Sequence, residues 1–387
     1  MYKVLTLNKI SAEGLSNFDS AKYSCSTEFD SPDAIIVRSA SMHEMELPES
    51  VLAVARAGAG VNNIPVSAYT EKGVVVFNTP GANANAVKEL VICGLLLSSR
   101  RIVPAIEWCQ SLKGKGDEVS ALVEKGKSNY TGPEIKGKTL GVIGLGAIGV
   151  MVANAAVALG MKVVGYDPYL TDKAATSLDK SVKITANLDD VFAESHYISL
   201  HAPLTDSTRG IVRAETLEKM RDGVRILNFA RKELVAENDI IEALNSGKCA
   251  AYVTDFPSDS QLGVDGVIPI PHLGASTPES EENCAVMAVE ELKAFLEKGE
   301  IINSVNFPNI ELAPSEDAKE RLLVLSAEDV SEKILGILAN NSIKVAGGAS
   351  NAKKAAAALI ETADAIPENV LDEIKAIEGV YRVRVIK

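Results

Sequence analysis

The chain is short of the residues that would build a disulfide framework or a structural zinc site. Its five cysteines, Cys25, Cys93, Cys109, Cys249 and Cys284, are scattered, odd in number and never in a C-x-x-C pair, and only four histidines accompany them. No metal centre is expected, and a reduced, cytoplasmic compartment is the default. Basic residues are in deficit too: 39 Lys and Arg against 52 Asp and Glu leave a net charge of −13. A nucleic-acid partner is therefore not expected, since that class shows a basic face or stripe. Local charge in a cleft can still oppose the net charge and receive an anionic substrate. The N-terminal MYKVLTLNKI has no apolar run of signal-peptide length.

One uncharged run does stand out. Residues 139–161, TLGVIGLGAIGVMVANAAVALGM, give 23 positions without a charge, the length of a membrane span. The run is rich in glycine and carries Asn154, so a strand, a turn and a buried helix in succession explain it better. No membrane partner is expected. With 387 residues, 47 % apolar and 24 % charged, the chain has the length and composition of two or three globular domains.

From residue 139 short β-branched runs alternate with helical patterns. TLGVIG, KVVGYD, YISLHAP, VRILNFA, CAAYVTDF and VIPIPH read as strands, and the pieces between them have helical length and composition. Apolar strands joined by crossover helices predict a parallel sheet covered on both faces. KVLTL, DAIIVRS, LAVARAG and VVVFNTPG give the first ~100 residues the same character. A helical pattern from Asn85 to about Leu112 is expected to break at Pro104, and residues 113–138 read as an exposed polar connection. The helix over 278–298 is expected to return to the first domain. After a turn-rich linker, the final ~70 residues read β-α-β-β-α-β, the order of a ferredoxin-like module.

Gly144-x-Gly146-x-x-Gly149 falls where a strand gives way to a helix. The first glycine serves a tight turn, the second a close approach to a pyrophosphate, the third helix–strand packing. The helix N-terminus then offers free N–H groups to the phosphate. Asp167 ends the next strand, where a carboxylate accepts from the adenosine ribose and repels a 2′-phosphate, so NAD is favoured over NADP. His201, Arg231, the Asp255–Asp259 segment and His272 close later strands, where open α/β sheets bind ligands. A histidine base and an arginine clamp suit hydride transfer from a secondary alcohol of a carboxylic acid. Position alone leaves His201 and His272 both open as the base, and leaves Arg38 as either a surface residue or an anion clamp.

GVIGLGAIG, VVGYDPY, HAPLTDST, ILNFARKELV, AAYVTDFPSD and PHLGAST, in that order, resemble the NAD-dependent D-isomer 2-hydroxyacid dehydrogenases. IIVRSA, ARAGAGVNNI and VFNTPGANANAVKEL resemble the phosphoglycerate-oxidising branch of that family, and the terminal module resembles an ACT domain. The resemblance implies an α/β fold: a Rossmann NAD-binding domain (106–277) inserted in a flavodoxin-like substrate domain (1–105 and 278–302). A linker (303–317) and a C-terminal βαββαβ ACT-like domain (318–387) complete it. It implies NAD-dependent oxidation of 3-phospho-D-glycerate to 3-phosphooxypyruvate, the entry to serine synthesis, and a homodimer or homotetramer. The alternatives are another D-2-hydroxy acid, of hydroxypyruvate or glyoxylate type, or an NAD-responsive binding protein on this scaffold.

Carried over by position, the resemblance makes Arg231 the carboxylate and carbonyl clamp and His272 the general acid/base, in preference to His201. Asp259 falls at the glutamate partner of that histidine, and Thr254 or Asp255 at the aspartate facing the nicotinamide. Cofactor contacts fall on Gly144, Gly146, Ala147, Ile148 and Gly149, on Asp167, and on His201, Ala202 and Pro203. Ala230, Thr254, Asp255, His272 and Gly274 complete them. Arg38, Ser39, Ala59, Gly60 and Asn83 join Arg231 at the substrate. Several positions depart from the family pattern: Asp259 is one methylene short, Lys232 replaces a glycine, and Ala147 replaces an arginine of the phosphate loop. Glu332 and Lys344 replace the glycine and asparagine of an ACT effector loop, so the module reads as a dimerisation device rather than a serine sensor.

Overall fold

Fully apolar strands are stable only where both faces of their sheet are covered, and two parallel sheets here meet that condition. The computed structural model describes residues 1–387 and divides into two units, Met1–Asn83 with Pro278–Lys387, and Ala84–Thr277. In the first, Tyr2–Leu7 (β1), Tyr23–Ser26 (β2), Ala34–Val37 (β3), Ala53–Arg56 (β4) and Val75–Asn78 (β5) form a parallel sheet of order β2-β1-β3-β4-β5. Alternate residues face opposite layers. Leu5, Ile35, Val37, Val54 and Val76 pack in one cluster. Val4, Ile36, Ala55 and Phe77 pack on Cys284, Ala288, Leu292 and Phe295 of the helix Pro278–Lys298 in the other.

The second unit holds Thr139–Ile143 (β6), Lys162–Tyr166 (β7), Lys183–Ile184 (β8), Tyr197–Leu200 (β9), Val224–Asn228 (β10), Cys249–Thr254 (β11) and Val267–Pro269 (β12). Their order, β12-β11-β10-β9-β6-β7-β8, is that of a Rossmann sheet, with the direction of winding reversing between β6 and β9. The uncharged 23-residue run is β6, a turn and the 12-residue helix Ala147–Ala158, and no helix of the chain is long and apolar enough to cross a membrane.

Helix Ala84–Arg100 belongs to this second unit, so the boundary falls at residue 84 rather than 106. Gly94 is the reason it can: a Cβ there would stand 2.9 Å from the Phe229 ring, so only glycine lets the helix lie so close to β10 and β11. The helical pattern breaks at Arg101 (φ 45°), not at Pro104. Pro104 sits in the first turn of the next helix, Ile102–Ser111, where a missing N–H costs nothing. Residues 113–138 are partly helical, with Val119–Gly126 as one short exposed helix.

The terminal residues form Glu320–Ser326 (β13), Val345–Ala352 (β14), Ala356–Thr362 (β15) and Val380–Ile386 (β16), an antiparallel sheet of order β14-β15-β13-β16 with two helices. The module has a core of its own on one face of its sheet and shares a second core on the other. Leu322, Val324 and Ile360 face the module's helices at Ile334, Leu338 and Ile374. Leu323, Leu325, Leu359 and Ile386, on the opposite face, join the cluster of β1, β3 and the helix Pro278–Lys298. Every residue of β15 is buried, because both its faces are covered. Buried Arg321 pairs with Glu361 at 2.7 Å and donates to the carbonyls of Lys298 and Leu312, fixing the connecting segment to the sheet.

Candidate active site

The turn after β6 is determined by its backbone. Gly144 has φ +94°, and a Cβ there would lie 2.6 Å from the His201 carbonyl carbon. At Gly149 a Cβ would come within 1.9 Å of the Gly144 oxygen, so that glycine is needed for packing. Gly146 faces open space: nothing lies within 4 Å of its Cβ position. It caps the helix Ala147–Ala158, whose first N–H groups, from Ala147, Ile148 and Gly149, have no partner within the helix. Asp167, directly after β7, accepts from the Leu145 N–H and the Tyr169 N–H, each at 2.8 Å, which locks turn and strand end together. Beside it a cavity of about 430 Å³ is lined by Gly146, Met151, Asp167, Tyr169, Leu170 and Lys173. An open glycine at a helix N-terminus, a strand-end carboxylate and an adjoining hollow fit a dinucleotide: pyrophosphate at the first, ribose at the second, adenine in the third.

His201 continues the ladder from β9 through its N–H to the Ile143 carbonyl, and its Nε2 lies 2.8 Å from Ser199 Oγ. Burial pushes its pKa down to about 4, so it is neutral near pH 7 and held as a wall of the turn. Ala202 is buried behind it and Pro203 is exposed.

Strands β10 and β11 deliver the remaining groups of this unit. Buried Asn228 accepts from the Ala230 N–H and donates to the Arg231 carbonyl and the Tyr252 hydroxyl. Asn228 thereby sets the exit of the loop whose exposed Arg231 donates to the Ala230 carbonyl at 2.7 Å. Sequence reading passed Asn228 over; a polar residue ending a buried strand just before the arginine is the signal that marks it.

Thr254 is wholly buried and accepts from the Phe256 N–H. Asp255 is 3 % exposed, and neither of its carboxylate oxygens has a hydrogen-bond partner. Burial pushes its pKa up to about 6, against the pull of the Arg231 charge. Gly274 is close by: a Cβ on it would stand 3.7 Å from Asp255 Oδ2. His272 is exposed and meets the Phe256 ring edge-on, with centroids 4.7 Å apart. Asp259 is exposed too, at the start of a 3-10 turn capped by Ser258 and Gln261.

In the first unit, Arg38 follows β3 and pairs with Glu281 at 2.7 Å. Asn8 accepts from the Ser39 and Ala40 N–H groups, which holds the loop after Arg38. Arg56, at the end of β4, donates from Nε to the Arg38 carbonyl at 3.1 Å, and its Nη1 lies 1.8 Å from the position a Gly58 Cβ would take. The Arg56 guanidinium thus lies against the glycine-rich loop at Gly58, whereas the Arg38 guanidinium is held by Glu281. Sequence spacing singles out only Arg38; Arg56 stands out as an arginine between a buried strand and a glycine-rich loop. Behind them Asn78 donates to the Ala59 carbonyl and to Asn303, which donates in turn to buried Glu291. Burial pushes the Glu291 pKa up to about 8. Asn83 is half-buried, immediately before the helix Ala84–Arg100.

Residues 93–274 match the family model for the NAD-binding domain of D-isomer specific 2-hydroxyacid dehydrogenases. A hydroxypyruvate reductase of Thermotoga maritima is 41 % identical over 279 residues, 69 % of this chain and 85 % of that protein. A D-3-phosphoglycerate dehydrogenase of Methanocaldococcus jannaschii is 36 % identical over 320 residues, 79 % of this chain. Here the chain spans only 57 % of the relative's length, and the same holds broadly for the other curated phosphoglycerate dehydrogenases it matches. Among solved structures, the NAD+-bound 3-phosphoglycerate dehydrogenase of Entamoeba histolytica aligns with a TM-score of 0.61 at 26 % identity, covering 79 % of this chain and 98 % of that one.

Proposed function

Since the chain belongs to the D-isomer specific 2-hydroxyacid dehydrogenases and carries their NAD-binding domain, we propose that it oxidises 3-phospho-D-glycerate to 3-phosphooxypyruvate, a step toward serine. The observation that carries this choice of substrate is the pair Arg38 and Arg56. At the ends of the neighbouring strands β3 and β4, Arg38, held at rest by Glu281, and Arg56 offer guanidinium donors for a second anionic group once Arg231 has taken the carboxylate.

Bound NAD supplies the hydride acceptor. Gly146 and the first turn of the helix Ala147–Ala158 would hold its pyrophosphate, and Asp167 its ribose. The unpaired oxygens of Asp255, beside Thr254, would accept from the nicotinamide carboxamide. Arg231 clamps the substrate carboxylate, and His272 takes the hydroxyl proton as the C2 hydride leaves. Asp259 stabilises the resulting imidazolium. Arg38, Ser39, Ala59, Gly60 and Asn83 serve the phosphate end.

A second reading, reduction of hydroxypyruvate, is favoured by the Thermotoga maritima relative, most of whose length is matched. Formation of NADH on adding 3-phospho-D-glycerate, set against D-glycerate and against NADH consumption with hydroxypyruvate, separates the two. In the same assay His272→Ala should lower turnover by about 10²–10⁴-fold while NAD affinity stays near normal. Surviving turnover would remove His272 as the base.

For the terminal module we propose self-association. Its edge strand β14 is largely exposed over eight residues, and an edge of that length offers main-chain groups to a second copy.

A further inference from the structure

Arg38 is not a bare cation awaiting an anion. Its Nη1 lies 2.7 Å from Glu281 Oε1, and the two side chains are 32 % and 39 % exposed. Glu281 stands in the first turn of the helix Pro278–Lys298, where the helix dipole favours a carboxylate. The Arg38 main chain is fixed independently of this pair, because its carbonyl accepts from Arg56 Nε and Asn63 Nδ2. The backbone of Arg38 is therefore placed without Glu281, and what the carboxylate occupies is the guanidinium's binding capacity.

We infer that Glu281 is a specificity-determining residue, a built-in competitor that holds Arg38 until a substrate phosphate displaces it. The inference rests on the reading of Arg38 as the phosphate clamp. A dianionic group gains at Arg38 only the difference between its own contact and that of Glu281. The displaced carboxylate is already partly in water, so its release leaves no buried charge behind. A 2-hydroxy acid without a phosphate makes no claim on Arg38, and the ion pair then stays closed. Glu281 thus narrows the gap between phosphorylated and unphosphorylated substrates.

The test compares wild type, Glu281→Gln, Arg38→Ala and the double variant at low salt, by kcat/KM for 3-phospho-D-glycerate and for D-glycerate. Calorimetric titration with inorganic phosphate adds a binding readout free of turnover. Glu281→Gln should lower KM for the phosphorylated substrate about two- to fivefold, and tighten inorganic phosphate by a similar factor. The values for D-glycerate should stay unchanged, and the gain should vanish when Arg38 is alanine. A raised KM for phosphoglycerate, or an equal change for both substrates, overturns the inference, and so does no change in either. If wild type forms no NADH from phosphoglycerate, the proposed substrate fails; the phosphate titration then still decides whether Glu281 competes at Arg38.

Discussion

Asp167 and Asp255 occupy the same topological place, one residue past the end of a parallel strand, under opposite conditions. Each oxygen of Asp167 accepts a main-chain N–H. Neither oxygen of Asp255 has a donor, although that residue is the more deeply buried. A satisfied carboxylate acts as structure: it ties the glycine-rich turn to β7. An unsatisfied one is destabilised in its charged form, and burial lifts its pKa to about 6. In the assignment above, an N–H donor on the bound cofactor completes it. Glu291 in the first unit is intermediate, with Oε1 bonded to Asn303 and Oε2 unpartnered.

The largest effect is expected where the satisfied member is lost. Asp167→Ala removes two charge-assisted contacts and the ribose acceptor, so the NAD dissociation constant should rise about ten- to hundredfold in a direct titration. Discrimination against NADP should relax at the same time. Unchanged NAD affinity would mean that the carboxylate is purely structural, and the contrast with Asp255 would collapse.

Next in size is Glu291→Gln, which sharpens the unsatisfied side. The folded pKa is raised from 4.5 to about 8, so the stability tied to Glu291 is fully present below 4.5 and is lost as pH rises through 8. The glutamine variant mimics the protonated form. Its melting temperature should match wild type near pH 4 and exceed it by about 5 °C near pH 9. Parallel melting curves across that range would show that the group is not buried in solution.

The smallest effect belongs to Asp255→Asn. Here stability is fully present below 3.8 and drains away as pH rises through about 6. The variant should therefore melt about 1–3 °C above wild type near pH 8 and level with it near pH 3.5. Its KM for NAD should rise a few-fold, since an amide offers one acceptor in place of two. A melting gain with no change in KM would break the link between the unpaired carboxylate and the cofactor.

This contrast also explains what could be read from the chain. The turn around Gly144, Gly146 and Gly149 was legible because the backbone itself is the site, and backbone demands appear as glycine at fixed spacing. Runs such as AIIV and YISL, buried at every position, announced both parallel sheets. Strands Tyr23–Ser26 and Lys183–Ile184 were invisible, being short, largely polar and set by their neighbours. The helix break at Arg101 is hidden in the sequence because the proline three residues on is the louder local signal. The sequence marks the positions of Asp255, Arg56 and Asn228, but not what lies across from them on other strands and loops: the unpaired state of Asp255, the Arg38 carbonyl at Arg56 and the Arg231 carbonyl at Asn228.

The division of the first unit sets an order on the ribosome. Strands β1 to β5 are made first, yet the helix that covers one face of their sheet, and the module that shares that core, emerge about two hundred residues later. At ~5–20 residues per second, that interval is roughly 10–40 s. During it Val4, Ile36, Ala55 and Phe77 have no native partner layer, while the uninterrupted second unit can complete its own sheet. The cofactor domain is therefore the part of the nascent chain able to finish first, and the opening strands are the segment most in need of shelter from other chains.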